Sequence, residues 1–504
     1  VQRSQWAAYV ALPVLLSLLL FVGVRHEPWA DEGQAWLLAR DNSLATLLTH
    51  AVRYEGSPGL WHALLWLLER AGFPYRGLWL ISSAFAGAGA AIVLLRAPFP
   101  LWLRIGCTFS YFFAYQYAII ARSYAFDLVL IPLLAALFQD RLKRPIVYCG
   151  ALGLCANCNA FSFIISGALF CELALAARRS QSWRDSCVLI GGAIFVLFGL
   201  AAIVQAWPPS DESYDIGPWT YRWIRPILQL AYAFVDSADI LGSTKPGLPS
   251  RLCGAALSLI FLFPSLLLFR RARTLALFAG MTLPLAVFCV VEYANAWHSG
   301  IIYLAWIFVL WISWHAIDAL SPRKRASVFA SVALLSLLQV GDTFAAWIRD
   351  VEAPYSSGSA VAAELARFRQ SHPDAVIAAM GFKAFSVQPW FSANVFANYN
   401  SGASKPSYYV WRKSDRFPVK PDLRMWTDMV SAKRTDVLVL STFRILNVDE
   451  YIRAATAQGY CVSKEVPGGM IWRTYVLEDD RVIIFKRRAA SLADCDVDEI
   501  AAFQ

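Results

Sequence analysis

Apolar runs alternate along this chain with short gaps rich in arginine, and that alternation restricts its fold more than any other feature. A helix needs about 20 mostly apolar residues to cross a bilayer, and such runs recur from Trp6 to Trp347. The basic residues fall at Arg96 and Arg104, Arg141-Leu142-Lys143-Arg144, Arg178-Arg179 with Arg184, Arg270-Arg271 with Arg273, and Arg323-Lys324-Arg325. Basic clusters confined to short gaps between apolar runs are the positive-inside pattern of a multi-pass membrane protein. With 58% hydrophobic and 16% charged residues, the chain lies well away from the composition of a soluble domain. Its net charge of +9 resides in those gaps, so it points to membrane topology and not to a nucleic-acid partner.

Taking the basic clusters as cytoplasmic pins threads about eleven spans. The first, about Trp6 to Val24, lacks a small-residue cleavage site and reads as a permanent anchor. It opens into outer loop one, about 25–77. Spans follow near 78–95, 101–119 and after Arg122-Ser123-Tyr124, then as a short hairpin, 146–155 and 161–177, turning at Asn157–Asn159. A span near 187–206 leads into a large outer loop, about 207–250. Two spans then turn inside at Arg270–Arg273, a tenth starts after His298, and an eleventh covers about 328–347. The segment Gly59–Leu68 is short and ends in Glu69-Arg70, and counting it as a span would invert every later helix, so it is expected to lie along the interface. The chain thus divides into a transmembrane module, 1–350, and a soluble periplasmic α/β domain, 351–504. The latter shows helical periodicity over Val361–Arg369 and strands at Asp374–Met380, Asp436–Leu440 and Arg481–Phe485. The expected location is a bacterial inner membrane. Cys155-Ala156-Asn157-Cys158 lacks the second pair of a metal or redox motif, whereas Cys461 and Cys495 in the soluble module can form a disulfide if that module is extracytoplasmic.

Asp31-Glu32 follows the first span directly. Adjacent carboxylates at a membrane boundary are costly unless something binds or uses them. The same topology brings Arg53, Glu55, Arg122, Tyr124, Asp127, Arg222, Arg225 and His298 to the outer face. Carboxylates opposite arginines suit a phosphate-bearing donor and a hydroxyl nucleophile: the carboxylate removes the proton while the arginines hold the phosphate. Plainer roles exist for each. Asp31 and Glu32 can serve as the acids of a helix N-terminus, Arg122 can snorkel, and His298 can be an interfacial aromatic. Asp127 lies inside the apolar run Ala125–Ile131 and is expected to pair with Arg122 or to face the cavity. A transporter or lipid flippase is the alternative function. That reading requires midplane polar residues on broken helices and commonly repeated halves, whereas here the polar groups collect at one face and no repeat is apparent.

In motif order the chain resembles the GT-C superfamily of integral-membrane glycosyltransferases. The branch it is most similar to contains the dolichyl-phosphate-mannose–protein mannosyltransferases and the bacterial transferases that modify lipid A with aminoarabinose. The resemblance rests on Asp31-Glu32 in outer loop one, the turn Glu55-Gly56-Ser57-Pro58-Gly59-Leu60-Trp61, Arg122-Ser123-Tyr124 after the third span, and His298-Ser299-Gly300 opening a late span. It implies a polytopic helical fold with a C-terminal periplasmic domain and inverting transfer from a polyprenyl-phosphate-linked sugar to a glycan, lipid or protein acceptor. By position Asp31 would be the general base and Glu32 its neighbour in acceptor or metal binding. Asp127 would be the second acid, with Arg122 and Tyr124 near the donor phosphate or sugar. A divalent cation is left open, with Asp31 and Asp127 as its ligands if one is used. The turn before Trp61 lacks the basic residue of the lipid A branch, and Trp297 stands where arginine would precede His298. Arg53, Arg122, Arg222 and Arg225 are therefore the candidates for holding phosphate.

Overall fold

Seven helices among the described residues are long and apolar enough to cross a membrane: Tyr75–Arg96, Ser123–Asp140, Ala160–Arg179, Ser186–Ala206, Leu248–Ala272, Ala296–Ala319 and Pro322–Glu352. Three shorter apolar helices, Ala8–Gly23, Pro145–Ala156 and Leu275–Val291, accompany them. The computed structural model describes residues 2–213, 218–236, 247–413, 420–432 and 434–488. The chain is a polytopic helical membrane protein carrying a small mixed sheet near its C-terminal end.

Ten of the expected spans are present as helices, and the remaining one, 101–119, is broken. Its helix stops at Thr108, a π-helical turn occupies Phe112–Gln116, and a 3-10 turn at Ser123–Ala125 precedes the next helix. Residues 107–121 are buried throughout, and irregular backbone at membrane depth is tolerated only where protein satisfies its polar groups. Side chains from distant helices do so here. Thr343 donates to the Phe109 carbonyl at 2.8 Å, Trp347 to Ala114 at 3.0 Å, and Ser83 to Ala118 at 2.9 Å. The segment Gly59–Leu68 forms an 11-residue helix, Leu60–Arg70, with Trp61 and Leu65 buried, too short to span a bilayer. It packs on the Ala30–Asp41 helix of the first long loop. Deeper in the bundle, Leu78–Arg96 meets Asp127–Leu137 closely because residue 89 is glycine; a Cβ there would collide with the Leu128 carbonyl.

The sheet has strands β1 (Ile377–Met380), β2 (Val437–Ser441), β3 (Tyr460–Val466) and β6 (Val482–Arg487) in the order β1-β2-β6-β3, with β1 and β2 parallel and the rest antiparallel. Its two faces bury Ile377, Val439 and Ile484 on one side and Met380, Leu440 and Phe485 on the other. Burial on both faces explains why β1, β2 and β6 read as continuous apolar runs. β3 is an edge strand with polar residues facing water, and it escapes that signal. Cys461 on β3 is disulfide-bonded; its expected partner, Cys495, lies outside the described residues.

A hairpin of β4 (Gly469–Trp472) and β5 (Tyr475–Asp479) drives into the helical bundle. The Trp472 indole and the Tyr475 hydroxyl both donate to Asp236 at 3.0 Å. Arg473 is fully buried, ion-paired with Asp342 of the Pro322–Glu352 helix, and donates to the Tyr232 carbonyl at 2.5 Å. Removing one member of a buried ion pair strands the other and costs about 3–5 kcal/mol. Arg473→Met is therefore expected to lower the thermal unfolding midpoint in detergent, and Arg473→Met combined with Asp342→Leu to recover part of the loss. An unchanged midpoint in the single variant would contradict this role.

Candidate active site

The first turn of the Ala30–Asp41 helix is held by its own third residue. Glu32 is buried and its Oε2 accepts the Trp29 backbone N–H at 3.0 Å, a return bond that closes the helix start. Its Oε1 accepts the Ala121 N–H at 2.7 Å, from the broken stretch after the π turn. On the Oε2 side stands His26, with Nε2 at 3.5 Å, while His26 Nδ1 lies 2.9 Å from Asp350 Oδ2. Tyr115 also donates to that Asp350 oxygen, at 3.2 Å. Burial alone would favour a neutral His26, but the Asp350 and Glu32 carboxylates outweigh it and push the imidazole up to about 10.

Asp31 is one residue, and about 100°, away around the helix. It is partly exposed and ion-paired with Arg122, the residue after the Ala121 amide that Glu32 holds. The two neighbouring carboxylates thus grip two neighbouring residues of one segment. Glu55 sits half-buried beside this pair, accepting from Gln34 at 2.8 Å. Burial pushes its carboxyl up to about 7, the Gln34 bond pulling down and the Asp31 charge pushing up. Gln34 in turn exchanges two bonds with the backbone of Tyr409, at 2.7 and 2.9 Å, which ties the C-terminal unit to the same helix.

Tyr124 stacks on Tyr117 with ring centres 4.9 Å apart and faces His298 at 5.9 Å. His298 is buried, stacks on Phe161 at 4.5 Å and accepts the Asn295 N–H at Nδ1. Arg225 donates to the Glu292 carbonyl at 3.1 Å and lines a cavity of ≈ 250 Å³ shared with Arg251, Gln229, Asn295, Trp297 and Glu478. Trp297, in that wall, meets Trp29 edge-on at 5.6 Å, so the cavity adjoins the Asp31 turn.

Other expected positions fall elsewhere. Asp127 does not pair with Arg122. It is fully buried and accepts from Asn159 at 2.9 Å and Ser162 at 2.7 Å, fastening neighbouring helices. Glu32, expected as an acceptor or metal ligand, is turned into the core with both oxygens engaged. Arg53 donates to the Trp207 carbonyl at 3.0 Å, and Arg222 lies over the Trp219 ring at 5.3 Å; Arg122 is the guanidinium brought to Asp31. The residues do not fit a resident cation: Asp31 faces an arginine, Asp127 is enclosed by amide and hydroxyl donors, and among the described residues no group of three or more His, Cys, Asp or Glu side chains is arranged to hold a metal ion. The sequence reading missed His26, Arg251, Lys383 and Glu478. His26 lies in the segment that carries Asp31, whereas the other three have no local motif.

No protein-family model and no curated protein matches the sequence. Among solved structures the chain is similar to the crystal structure of ArnT from Cupriavidus metallidurans in the apo state, at 13% identity and a TM-score of 0.55, over 97% of this chain and 99% of that one. ArnT is a lipid A aminoarabinose transferase of the GT-C type. The two chains share a fold along nearly their whole length.

The buried His26 gives a pH signature. Its folded pKa lies above the ordinary 6.5, so its contribution to stability is complete below about pH 6.5 and is lost as pH rises toward 10. Stability in detergent is expected to fall across that window by up to about 1.4 kcal/mol per pH unit, and His26→Gln to flatten the slope. Equal slopes in both proteins would contradict it.

Proposed function

We propose that this chain is a GT-C glycosyltransferase that moves a sugar from a polyprenyl-phosphate-linked donor to a glycan, lipid or protein acceptor at the outer face of the membrane. The observation that carries the reading is the pairing of Asp31 with Arg122, partly exposed in the first turn of the Ala30–Asp41 helix, with an arginine-lined cavity adjoining that turn through Trp29 and Trp297. The fold shared with ArnT supports it.

In this mechanism Asp31 accepts the proton of the acceptor hydroxyl as that oxygen attacks the anomeric carbon. The bond from the anomeric carbon to the phosphate oxygen breaks, its electron pair stays on the phosphate, and polyprenyl monophosphate leaves. Attack opposite the leaving group inverts the anomeric centre. Arg122 has five N–H donors, enough to pair with Asp31 and also to reach the leaving phosphate. Arg225 and Arg251 extend the positive wall along which the donor headgroup lies, and Trp297 offers a face for the sugar ring. Glu55, poised near neutrality, is placed to relay the proton that Asp31 collects.

The test uses purified protein in nanodiscs supplied with polyprenyl-phosphate-linked sugars from bacterial envelopes, with release of polyprenyl monophosphate as the readout. Asp31→Asn is expected to slow release by about 10²–10⁴-fold with an unchanged melting point. Full transfer by a folded Asp31→Asn protein would overturn the mechanism.

A further inference from the structure

The catalytic helix is covered by a part of the chain some 350 positions away. The 3-10 segment Phe382–Trp390 lies along Ala30–Asp41, and glycine at 33 permits the approach: a Cβ there would stand 3.1 Å from Pro389. From this segment Lys383 reaches inward and is 1% exposed. Its Nζ lies 2.8 Å from Glu478 Oε2 and 4.4 Å from the centre of the Trp29 ring, with the Phe443 ring at 4.9 Å on another side. Glu478 is also a wall of the cavity, and Trp29 starts the helix two residues before Asp31. The ammonium therefore bridges the cavity to the catalytic turn.

A buried ammonium is stable only when paired, and this one has more negative charge around it than one pair requires. Glu478, the buried Asp480 and Asp31 all lie within its electrostatic reach. We propose that Lys383 is a positioning residue for the Asp31 reaction: its ammonium, delivered by the C-terminal unit and anchored by Glu478, fixes the Trp29 end of the catalytic helix and with it the placement of Asp31. The active site is then complete only when that unit is docked. This rests on Asp31 being the base.

The charged and titratable groups facing Asp31 are Arg122, Glu55, Tyr124 and Lys383. Arg122 and Lys383 attract the Asp31 carboxylate, whereas Glu55, once ionised, repels it. Deleting the Lys383 charge frees the Trp29 end of the helix that carries Asp31, so the transfer step slows while substrate binding is kept.

Lys383→Met keeps much of the stem and loses the charge; Lys383→Arg keeps the charge. In the nanodisc assay of polyprenyl monophosphate release, Lys383→Met is expected to lower kcat about tenfold with KM nearly unchanged. Lys383→Arg is expected to restore kcat. Lys383→Gln is read the same way should the methionine variant not fold. A folded Met or Gln variant with the wild-type kcat, or an Arg variant as slow as they are, would overturn the proposal. Asp31→Asn in the same preparation separates the two readings. Activity surviving that change removes the base itself, whereas its loss beside a wild-type kcat in Lys383→Met removes only the role of the lysine.

Discussion

Two buried carboxylates share one imidazolium at the centre of this protein, and the position of every proposed reacting group follows from that arrangement. Glu32 and Asp350 come from segments more than 300 residues apart, and His26 stands between them with a ring nitrogen toward each. Side chains of this kind are tolerable in a core when they pair with one another and take further hydrogen bonds. The amides of Trp29 and Ala121 bind Glu32, and the hydroxyl of Tyr115 shares Asp350 Oδ2 with His26, which leaves Asp350 Oδ1 without a hydrogen-bond partner. The knot joins the end of the first helix, the start of the loop helix, the broken stretch before Arg122 and the long helix that leads to the C-terminal unit. With Glu32 fixed inward, helix geometry turns Asp31 away from the core and toward Arg122.

Much of this was legible in the sequence, for identifiable reasons. Apolar runs bounded by basic clusters report topology because lipid leaves the backbone few alternatives to helix. Strands β1, β2 and β6 were readable because both their faces are buried. That Asp31 and Glu32 need partners was legible because a carboxylate pair beside a membrane exit is electrostatically costly. The opposite orientation of its neighbour was not, since a pair of adjacent acids carries no mark of which one faces the core. The break after Thr108 was hidden for a similar reason: Phe109–Ile120 is nearly as apolar as a span, and the side chains that satisfy its carbonyls belong to helices far along the chain. Asp127 illustrates the limit most clearly. An acid in an apolar run demanded a partner, but Asn159 and Ser162 served better than the arginine nearer in sequence, because short neutral donors fit between packed helices without burying a second charge.

The two modules divide the work unevenly. The helical bundle contributes Asp31, Glu55, Arg122 and most of the cavity wall. The sheet-bearing unit packs apolar residues on the Ala30–Asp41 helix and also inserts two polar features. One is the hairpin locked by Arg473 onto Asp342; the other is Lys383, set between the cavity and the Trp29 turn. Attached this way, the sheet-bearing unit is a structural component of the surroundings of Asp31.

The most direct test is a cryo-electron microscopy map of the protein in a lipid nanodisc containing polyprenyl monophosphate. The expected result is phosphate density between Arg122 and the Arg225–Arg251 wall, on the open side of Asp31, with the prenyl chain leaving toward the acyl region and Glu32 still enclosed by His26. Density for the headgroup elsewhere, with Asp31 sealed from it by protein, would contradict the central claim.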